Sequence, residues 1–198
     1  MKRILSVLRR PFVIFAVHAV YAFGCLCYDK RYLTGRWFDR RHFTRGWQWI
    51  LQCWFSQKIM GRNRRVPWPV PPYVTVSHPE HILFDPNDMD NFFSVGDYYQ
   101  GIGATVTLGS GTQIAPGCGF ITANHSLSDI TSSQPEEPIV LGEKCLISMN
   151  SVILPGVHLG PHTVVGANSV VNESFPEGWC VIAGAPARKV KDLPRGID

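Results

Sequence analysis

The sequence predicts a mainly β protein, in which a parallel β-helical solenoid follows an α-helical, apolar and basic amino-terminal appendage. Two observations support this fold class. Large aliphatic residues recur every six positions in the second half of the 198-residue chain, and the composition changes near residue 65. We therefore expect an appendage at residues 1–65 and one solenoid domain at residues 66–198.

The aliphatic repeat runs in two blocks, each with a constant step of six residues. Its members are Ile102, Leu108, Ile114 and Phe120, then Leu141, Ile147, Ile153, Leu159, Val165 and Val171. A six-residue step fits a short parallel strand followed by a tight corner, so three steps close a coil of about 18 residues. Stacked coils then bury one another's apolar sides.

Four positions after most of these aliphatic residues, the sequence carries a small or β-branched residue that fits a corner. These residues are Val106, Thr112, Cys118, Cys145, Ser151, Val157, Thr163 and Ser169. The combined pattern is typical of the left-handed parallel β-helix, an exception to the right-handed rule for β crossovers. Cys118 and Cys145 are accordingly predicted to be small core residues.

The repeat is interrupted between Phe120 and Leu141, which lie 21 residues apart where one repeat would need six. The surplus must leave the coil as a loop, which we place at about residues 126–140. His125 directly precedes this loop. A loop that extends from a rigid scaffold is a common place for a functional site.

Charge is distributed unevenly along the chain. Residues 1–65 hold 14 of the 19 Lys and Arg residues but only Asp29 and Asp39, which gives this part a charge of +12 and the remainder −8. An asymmetry of this size predicts that the appendage meets an anionic surface.

Residues 11–28 contain no charged side chain, and basic residues flank this run on both sides. They are Lys2, Arg3, Arg9 and Arg10 before it, and Lys30, Arg31, Arg36, Arg40, Arg41 and Arg45 after it. A signal peptide, a spanning helix and an in-plane anchor all use apolar runs, but charges on both sides assign no crossing. Five Trp residues between positions 37 and 68 alternate with Arg, as at the headgroup level of a membrane.

We therefore predict that residues 1–65 associate peripherally with an anionic membrane surface. The alternatives are a helix that packs against protein and, with the weakest support, nucleic acid, which we do not expect as a partner. The six cysteines have no C-x-x-C spacing and do not form a dense framework. This usage favours a reduced, cytoplasmic setting at the inner face of the membrane, without zinc ligation by cysteine.

Four stretches resemble the hexapeptide-repeat acyltransferases, in particular the galactoside, maltose and nodulation-sugar O-acetyltransferases and the exopolysaccharide acetyltransferases. They are "ITANHS", "VILPGVHLGPHTVVGANSVV", "FPEGWCVIAGAPARKV" and "RRVPWPVPPYVTVSHPEHILFDPND". The resemblance covers about residues 62–192. It implies a homotrimer with acetyl-coenzyme A as acyl donor. It also implies that His125 is the general base, which removes the proton of an acceptor hydroxyl as that hydroxyl attacks the thioester directly.

The same resemblance places the coenzyme at the interface between subunits. Its pantetheine arm is expected to pass Ser148, Met149 and Ala167, while Arg188 and Lys191 match the basic positions that meet its phosphates. All five residues are therefore predicted to bind the donor.

The acceptor side departs from the family pattern. Related enzymes often have Asn-x-Asn where this chain has Gly101-Ile102-Gly103. We therefore expect the acceptor to be held by other residues, namely Tyr98, Tyr99, Gln100 and Asn124.

Together these features predict an acetyl-coenzyme A-dependent O-acetyltransferase that acts on a saccharide hydroxyl, with a lipid-linked or surface-glycan precursor as the expected acceptor. N-acetylation of an amino sugar, a non-catalytic solenoid scaffold at the membrane and a zinc hydratase of the same fold are the alternatives. The spacing of His125, His158 and His162 does not suggest a zinc site. No metal is expected.

Overall fold

The computed structural model describes residues 2–126 and 128–196, of which residues 2–10 are described by backbone alone. It contains two compact units, Met1–Pro72 and Tyr73–Asp198. Among the described residues, no helix has both the length and the apolar character that a bilayer crossing requires. The side chains of the basic residues that precede the uncharged run lie outside the described part of the structure; these residues are Lys2, Arg3, Arg9 and Arg10.

The amino-terminal unit is helical. Its helices are α1 (Lys2–Cys27) and α2 (Arg45–Trp54), and a π-helical turn at Phe55–Ile59 continues α2. The two helices pack closely at Gly24, where an added methyl group would lie 2.7 Å from Cδ1 of Ile50. A larger residue here would have to displace the ends of the Ile50 and Leu33 side chains. Two short 3-10 turns, Lys30–Tyr32 and Gly35–Trp37, connect the helices.

Tryptophan side chains form the core of this unit. Trp47, Trp49 and Trp68 are buried, and Trp47 packs edge-to-face against Phe38 with ring centroids 5.1 Å apart. Burial of rings this large removes much apolar surface from water, which stabilises the unit. The prediction that all five Trp residues lie at headgroup level was therefore wrong for these three, because their rings are buried among the helices and turns of this unit.

Gln57 joins the π-helical turn to the segment that follows it. Its side chain is fully buried, accepts hydrogen bonds from the Tyr28 hydroxyl at 3.0 Å and the Val70 amide at 2.9 Å, and donates to the Trp68 carbonyl at 3.1 Å. A buried amide with its donors and acceptors satisfied fixes its neighbours in one arrangement. The proline-rich stretch at residues 66–72 is held against the helices in this way.

The second unit is a solenoid of short strands. In chain order they are β1 (Thr75–Ser77), β2 (Ile82–Leu83), β3 (Tyr98–Gln100), β4 (Val106–Leu108), β5 (Gln113–Ile114), β6 (Gly119–Phe120), β7 (Ile139–Leu141), β8 (Leu146–Ile147), β9 (Val152–Ile153), β10 (His158–Leu159), β11 (Val164–Val165), β12 (Val170–Val171), β13 (Cys180–Gly184) and β14 (Ala187–Asp192). A 3-10 segment, Pro86–Phe93, lies between β2 and β3.

The strands form the three faces of a prism. Sheet A contains β1, β3, β6, β9 and β12, sheet B contains β2, β4, β7 and β10, and sheet C contains β5, β8, β11, β13 and β14. All pairings are parallel except that of β13 with β14, which closes the end of sheet C as an antiparallel hairpin. This is the left-handed β-helix that the sequence predicted.

Inward-facing residues stack in columns, one for each sheet. In sheet C, Ile114, Ile147 and Val165 lie in register, and all three are buried. Each such side chain contributes about 1.5–3 kcal/mol through removal from water. The eight small residues predicted at the corners are also buried, Cys118 and Cys145 among them. Burial raises the pKa of both thiols to about 11, which keeps them protonated.

The first member of the predicted repeat is an exception. Ile102 does not lie on a strand, because the chain bends at residues 102–104. Tyr99 takes the inward position instead, in register with Phe120, and the two rings stack with centroids 5.1 Å apart. The assignment of Ile102 was wrong because an aromatic ring three residues earlier fills this wider end of the core.

The corners line up along three edges of the prism. We call the edge after the sheet A strands the A–B edge; it contains residues 78–81, 101–105, 121–138, 154–157 and 172–174. The edge before those strands is the C–A edge; it contains residues 115–118, 148–151 and 166–169.

Candidate active site

The chain leaves the solenoid after β6 and returns at β7, on the A–B edge. The excursion doubles back as a hairpin: Glu137 donates from its amide to the Thr122 carbonyl at 3.0 Å, and Gln134 donates to the Asn124 carbonyl at 2.9 Å. Further out, His125 forms an antiparallel bridge with Ser133. Backbone pairing therefore holds the segment around His125 in a fixed position.

Asp129 orders the outer turn of this hairpin. Its carboxylate accepts from the amide of Thr131 at 3.0 Å and from the hydroxyl of Thr131 at 2.6 Å, and these bonds lower the pKa of Asp129. Ile130, at the tip, is 77% exposed. The tip thus presents a large apolar side chain to solvent.

Gln100 fixes the start of the hairpin. Its Oε1 accepts from the amides of Thr122 and Ala123, both at 3.0 Å. The Thr122 hydroxyl in turn donates to the carbonyls of Gln100 and Ile102, each at 3.0 Å. The structure therefore places Gln100 beneath the segment that carries His125.

His125 itself is exposed. Within the described part of the chain, its ring has no hydrogen-bond partner. An imidazole that is held by backbone pairing but is free at both ring nitrogens can accept a proton from a bound molecule.

A groove of about 400 Å³ lies on the A–B edge, and the hairpin that carries His125 borders it through Asn124 and Gln134. Asn124 is one of its lining residues. The others were not singled out from the sequence, namely Gln134, Pro135, Glu137, Leu154, Pro155 and Asn172. The 18-residue spacing of Leu154 and Asn172 equals one coil, so placing the loop on a specific edge would have identified them.

The Gly101 and Gly103 departure has a steric cause. A methyl group on Gly101 would lie 2.9 Å from Cβ of His81, whose Nδ1 is 2.6 Å from the Gly101 carbonyl oxygen. A methyl group on Gly103, where φ is +65°, would lie 2.6 Å from Cγ of Glu136 in the hairpin. Because these two residues have no side chain, the first coil and the hairpin can approach the same corner closely.

The two tyrosines lie differently. Tyr98 is partly exposed on the outer side of sheet A, with its hydroxyl 3.5 Å from Nε2 of Gln100. Tyr99 is completely buried, and its hydroxyl donates to the Asn91 carbonyl at 2.8 Å. The structure thus gives Tyr99 no surface with which to meet a substrate.

Three of the five predicted donor residues lie on the C–A edge. Ser148 is partly exposed, whereas Met149 and Ala167 are exposed, and consecutive coils are joined there by the Asn168 amide, which donates to the Met149 carbonyl at 2.9 Å. The small side chain of Ala167 leaves the edge open to an extended molecule.

Arg188 and Lys191 project from β14, at the end of sheet C. Both are exposed, and Arg188 forms an ion pair with Glu173 at 3.2 Å. This pair is more than half exposed on each side, so it is weak and water competes with it.

His125 and the donor residues therefore occupy different edges of the prism. Asn124 and His125 lie on the A–B edge, while Ser148, Met149 and Ala167 lie on the C–A edge. One copy of the chain does not bring these two groups together. Among the described residues, no three His, Cys, Asp or Glu side chains are arranged to hold a metal ion.

Comparison with known proteins agrees with this fold. Residues 138–173 match the family described as "Bacterial transferase hexapeptide (six repeats)". The chain is 32% identical to the galactoside O-acetyltransferase of Escherichia coli over 130 residues, which are 64% of this chain and 61% of that protein. It is 28% identical to the putative colanic acid biosynthesis acetyltransferase of Escherichia coli over 150 residues, 74% of this chain and 75% of that protein.

A third relative is the putative lipopolysaccharide biosynthesis O-acetyl transferase of Escherichia coli, 38% identical over 99 residues, which cover 44% of this chain and 50% of that protein. Among solved structures, a galactoside acetyltransferase in complex with coenzyme A is 26% identical with a TM-score of 0.52 and covers 64% of this chain and 62% of its own. These matches confirm the predicted resemblance to hexapeptide-repeat acyltransferases. The chain spans about half to three fifths of the length of several of these curated relatives.

Proposed function

We propose that this hexapeptide-repeat chain is an acetyl-coenzyme A-dependent O-acetyltransferase that acts on a saccharide hydroxyl. The observation that carries the proposal is the position of His125: its exposed ring has no partner in the described part of the chain, on a hairpin that borders an open groove. The galactoside relatives, one of them solved with coenzyme A, support the donor and the acceptor class.

His125 acts as the general base in this proposal. A neutral ring nitrogen takes the proton of the acceptor hydroxyl while the hydroxyl oxygen forms a bond to the thioester carbonyl carbon. The tetrahedral intermediate collapses as the carbon–sulfur bond breaks, and the thiolate of coenzyme A receives the proton from the imidazolium. The products are the acetyl ester and the free thiol, and no acyl-enzyme forms.

The protonated state of the core cysteines fits this direct transfer. Cys118 and Cys145 are buried, and their pKa values of about 11 keep the thiols uncharged near neutral pH. A nucleophilic cysteine needs the thiolate form and access to its substrate. Neither thiol meets these needs, so attack by the acceptor itself is the simpler route.

The donor lies on the C–A edge of a second copy. Ser148, Met149 and Ala167 form an open track for the pantetheine arm, and Arg188 and Lys191 meet the phosphates of the coenzyme, the former after exchanging its ion pair with Glu173. Because His125 lies on the other edge, a complete site requires two subunits. A homotrimer supplies three such sites through one repeated contact.

Asn124 and the groove beside it hold the acceptor. Gln134, Glu137 and Asn172 supply the amide and carboxylate groups that hydrogen-bond sugar hydroxyls, and Leu154 and Pro155 supply an apolar surface for the sugar ring. Tyr98 and Gln100 act more distantly: Gln100 positions the hairpin, and Tyr98 lies outside the groove lining. Tyr99 belongs to the core.

The natural acceptor in this proposal is a lipid-linked saccharide or another precursor of a surface glycan, at the cytoplasmic face of the membrane. The names of the lipopolysaccharide and colanic acid relatives support this class of acceptor. Acetyl-coenzyme A as donor requires that transfer takes place on the cytoplasmic side.

The test is the release of coenzyme A thiol from acetyl-coenzyme A with a panel of neutral, amino and lipid-linked saccharides. We expect release that depends on a saccharide hydroxyl and yields an ester that mild base cleaves. A base-stable amide formed with amino sugars alone would assign N-acetylation. No release with any acceptor, together with no shift of melting temperature by coenzyme A, would make the chain a solenoid scaffold.

A further inference from the structure

Helix α1 presents two apolar faces, and only one of them is covered. Val17 and Gly24 face the rest of the amino-terminal unit and are buried, as is Tyr28 directly after the helix. The opposite face carries exposed residues at helical spacing, namely Phe12, Phe15, Ala19, Ala22 and Leu26, which we call the outer face of α1. A helix that is apolar all round is normally covered on every side.

The exposure of the large side chains on this face is extensive. Phe12 is 74%, Phe15 is 73% and Leu26 is 87% exposed. Single exposed apolar residues are ordinary, but a stripe that follows one helix face over four turns indicates an interaction surface.

A second apolar surface lies in the same unit, at the end of α2 and in the π-helical turn. Its exposed members are Phe55, Ile59 and Met60, and Leu51 lies one helical turn before Phe55. A Phe23–Trp54 ring contact, with centroids 5.5 Å apart, joins α1 to this part of the unit. The two apolar surfaces therefore belong to elements that pack together.

The charges of the amino-terminal unit indicate which kind of partner covers the outer face of α1. Both of its carboxylates have local partners, since Asp29 forms an ion pair with Arg31 at 2.8 Å and Asp39 is hydrogen-bonded to the His42 ring at 2.7 Å. These contacts lower the pKa of both carboxyl groups. Other basic residues of the unit are exposed to solvent, namely Lys30, Arg36, Arg40, Arg41, Arg45, Arg62, Arg64 and Arg65.

A second copy of this unit would bring the same excess of positive charge to the contact, which opposes association. Nucleic acid would meet the cations and could stack on Phe12 and Phe15, but it would leave the aliphatic Ala19, Ala22 and Leu26 on the same face uncovered. An anionic lipid surface satisfies both features, because acyl chains cover apolar side chains while headgroups attract Lys and Arg.

We infer that the outer face of α1 docks in the plane of an anionic membrane surface. The inference rests on the amino-terminal unit alone, and it stands whether or not the solenoid transfers acetyl groups. The helix lies along the interface with Phe12, Phe15 and Leu26 inserted among the acyl chains, and nearby Lys and Arg side chains contact phosphate groups.

The test is cosedimentation of the full chain with two kinds of vesicle, pure phosphatidylcholine and phosphatidylcholine with about one third phosphatidylglycerol. We expect binding to the anionic vesicles that weakens as salt is added. The variant Phe12→Asp/Phe15→Asp should reduce this binding by about tenfold or more, since each change places a charge where an apolar ring entered the interface.

The matched control is Ile130→Asp, which makes the same kind of change at a side chain that is 77% exposed in the second unit. It should bind anionic vesicles as the wild type does. Equal far-ultraviolet circular dichroism for all proteins establishes that loss of binding is not loss of folding. Leu26→Asp, at the opposite end of the same face from Phe12, provides an independent variant and should also weaken binding.

Two results would overturn the inference. The first is equal binding of wild type and Phe12→Asp/Phe15→Asp to anionic vesicles. The second is a change of oligomeric state caused by the substitutions, with vesicle binding unaltered, which would assign the outer face of α1 to a contact between copies of the chain.

Discussion

Gln100 and Thr122 bond to each other reciprocally: the Gln100 side chain accepts from the Thr122 amide at 3.0 Å, and the Thr122 hydroxyl donates to the Gln100 carbonyl at 3.0 Å. The pair connects strand β3 to the first residues of the hairpin, three positions before His125. A catalytic side chain needs such support, because a displacement of about 1 Å can cost about a hundredfold in rate.

Gln100→Ala should therefore reduce kcat for acetyl transfer by about tenfold or more without weakening the binding of acetyl-coenzyme A. Gln100→Glu is the matched control, since its carboxylate retains an acceptor for the amides of Thr122 and Ala123. Steady-state kinetics with both substrates varied gives the comparison. Equal losses of kcat in the two variants would show that the hydrogen bonds accepted by Oε1 of Gln100 do not position His125.

Assembly of the site from two edges predicts complementation. His125→Ala removes the base from the A–B edge, whereas Ala167→Phe blocks the C–A edge, so each variant alone should be inactive. When the two are coexpressed and assemble randomly into trimers, about a quarter of the sites should pair an intact His125 with an open Ala167 edge of the neighbour.

Activity of the mixture is measured as thiol release for an equal amount of protein. The control is a mixture of His125→Ala with the double variant, in which no subunit carries the base. If the first mixture is as inactive as its parents, the site does not combine these edges of two copies.

Asp97 gives the solenoid a pH-dependent stability. This carboxyl is 1% exposed, and burial raises its pKa to about 7 although it accepts a bond from the Cys118 amide at 2.9 Å. Between about pH 4 and pH 7 the native protein then holds a proton that the unfolded chain has released. The contribution of this group to the free energy of unfolding therefore falls as pH rises through that window.

Asp97→Asn should remove this part of the pH dependence and raise the melting temperature relative to wild type more at about pH 8 than at about pH 5. Thermal unfolding across this range, with both proteins in the same buffers, measures the difference. A constant gap between the two curves would contradict a raised pKa for Asp97.

The stability of the amino-terminal unit should depend on the buried hydrogen bonds of the Gln57 side chain. Gln57→Leu leaves the Tyr28 hydroxyl and the Val70 amide without their buried acceptor, which should cost about 2–4 kcal/mol. Gln52→Leu, at an exposed position of α2, is the control and should change stability by less than about 0.5 kcal/mol. Urea unfolding followed by tryptophan fluorescence reports on this unit, because Trp47 and Trp68 lie in its core.

The solenoid could be predicted well from the sequence, because large inward-facing residues and small corner residues both recur every six positions. From Leu108 onward the aliphatic positions face inward, and the small residues from Thr112 to Ser169 are buried at corners. The first coil could not be read in this way, since the bend at residues 102–104 adds three residues and shifts the inward position to Tyr99. A periodic pattern does not reveal an insertion that is smaller than its own step.

The site could be predicted only in part. The interruption of the repeat indicated the loop and the position of His125, but not that the loop pairs with itself or that it lies on the A–B edge. Residues from other coils, such as Leu154 and Asn172, reach the groove only because corners stack 18 residues apart. In the amino-terminal unit, composition indicated aromatic and basic residues but could not separate the buried Trp47 from the exposed Phe15.

The most direct test of the account compares thiol release from acetyl-coenzyme A by the wild type and by His125→Ala, with the saccharide that gives the highest rate. The substitution should lower kcat by about a hundredfold or more, because the proton of the attacking hydroxyl then has no acceptor, while the Kd for coenzyme A should stay the same. A variant that keeps most of the wild-type kcat would contradict the assignment of His125 as the general base.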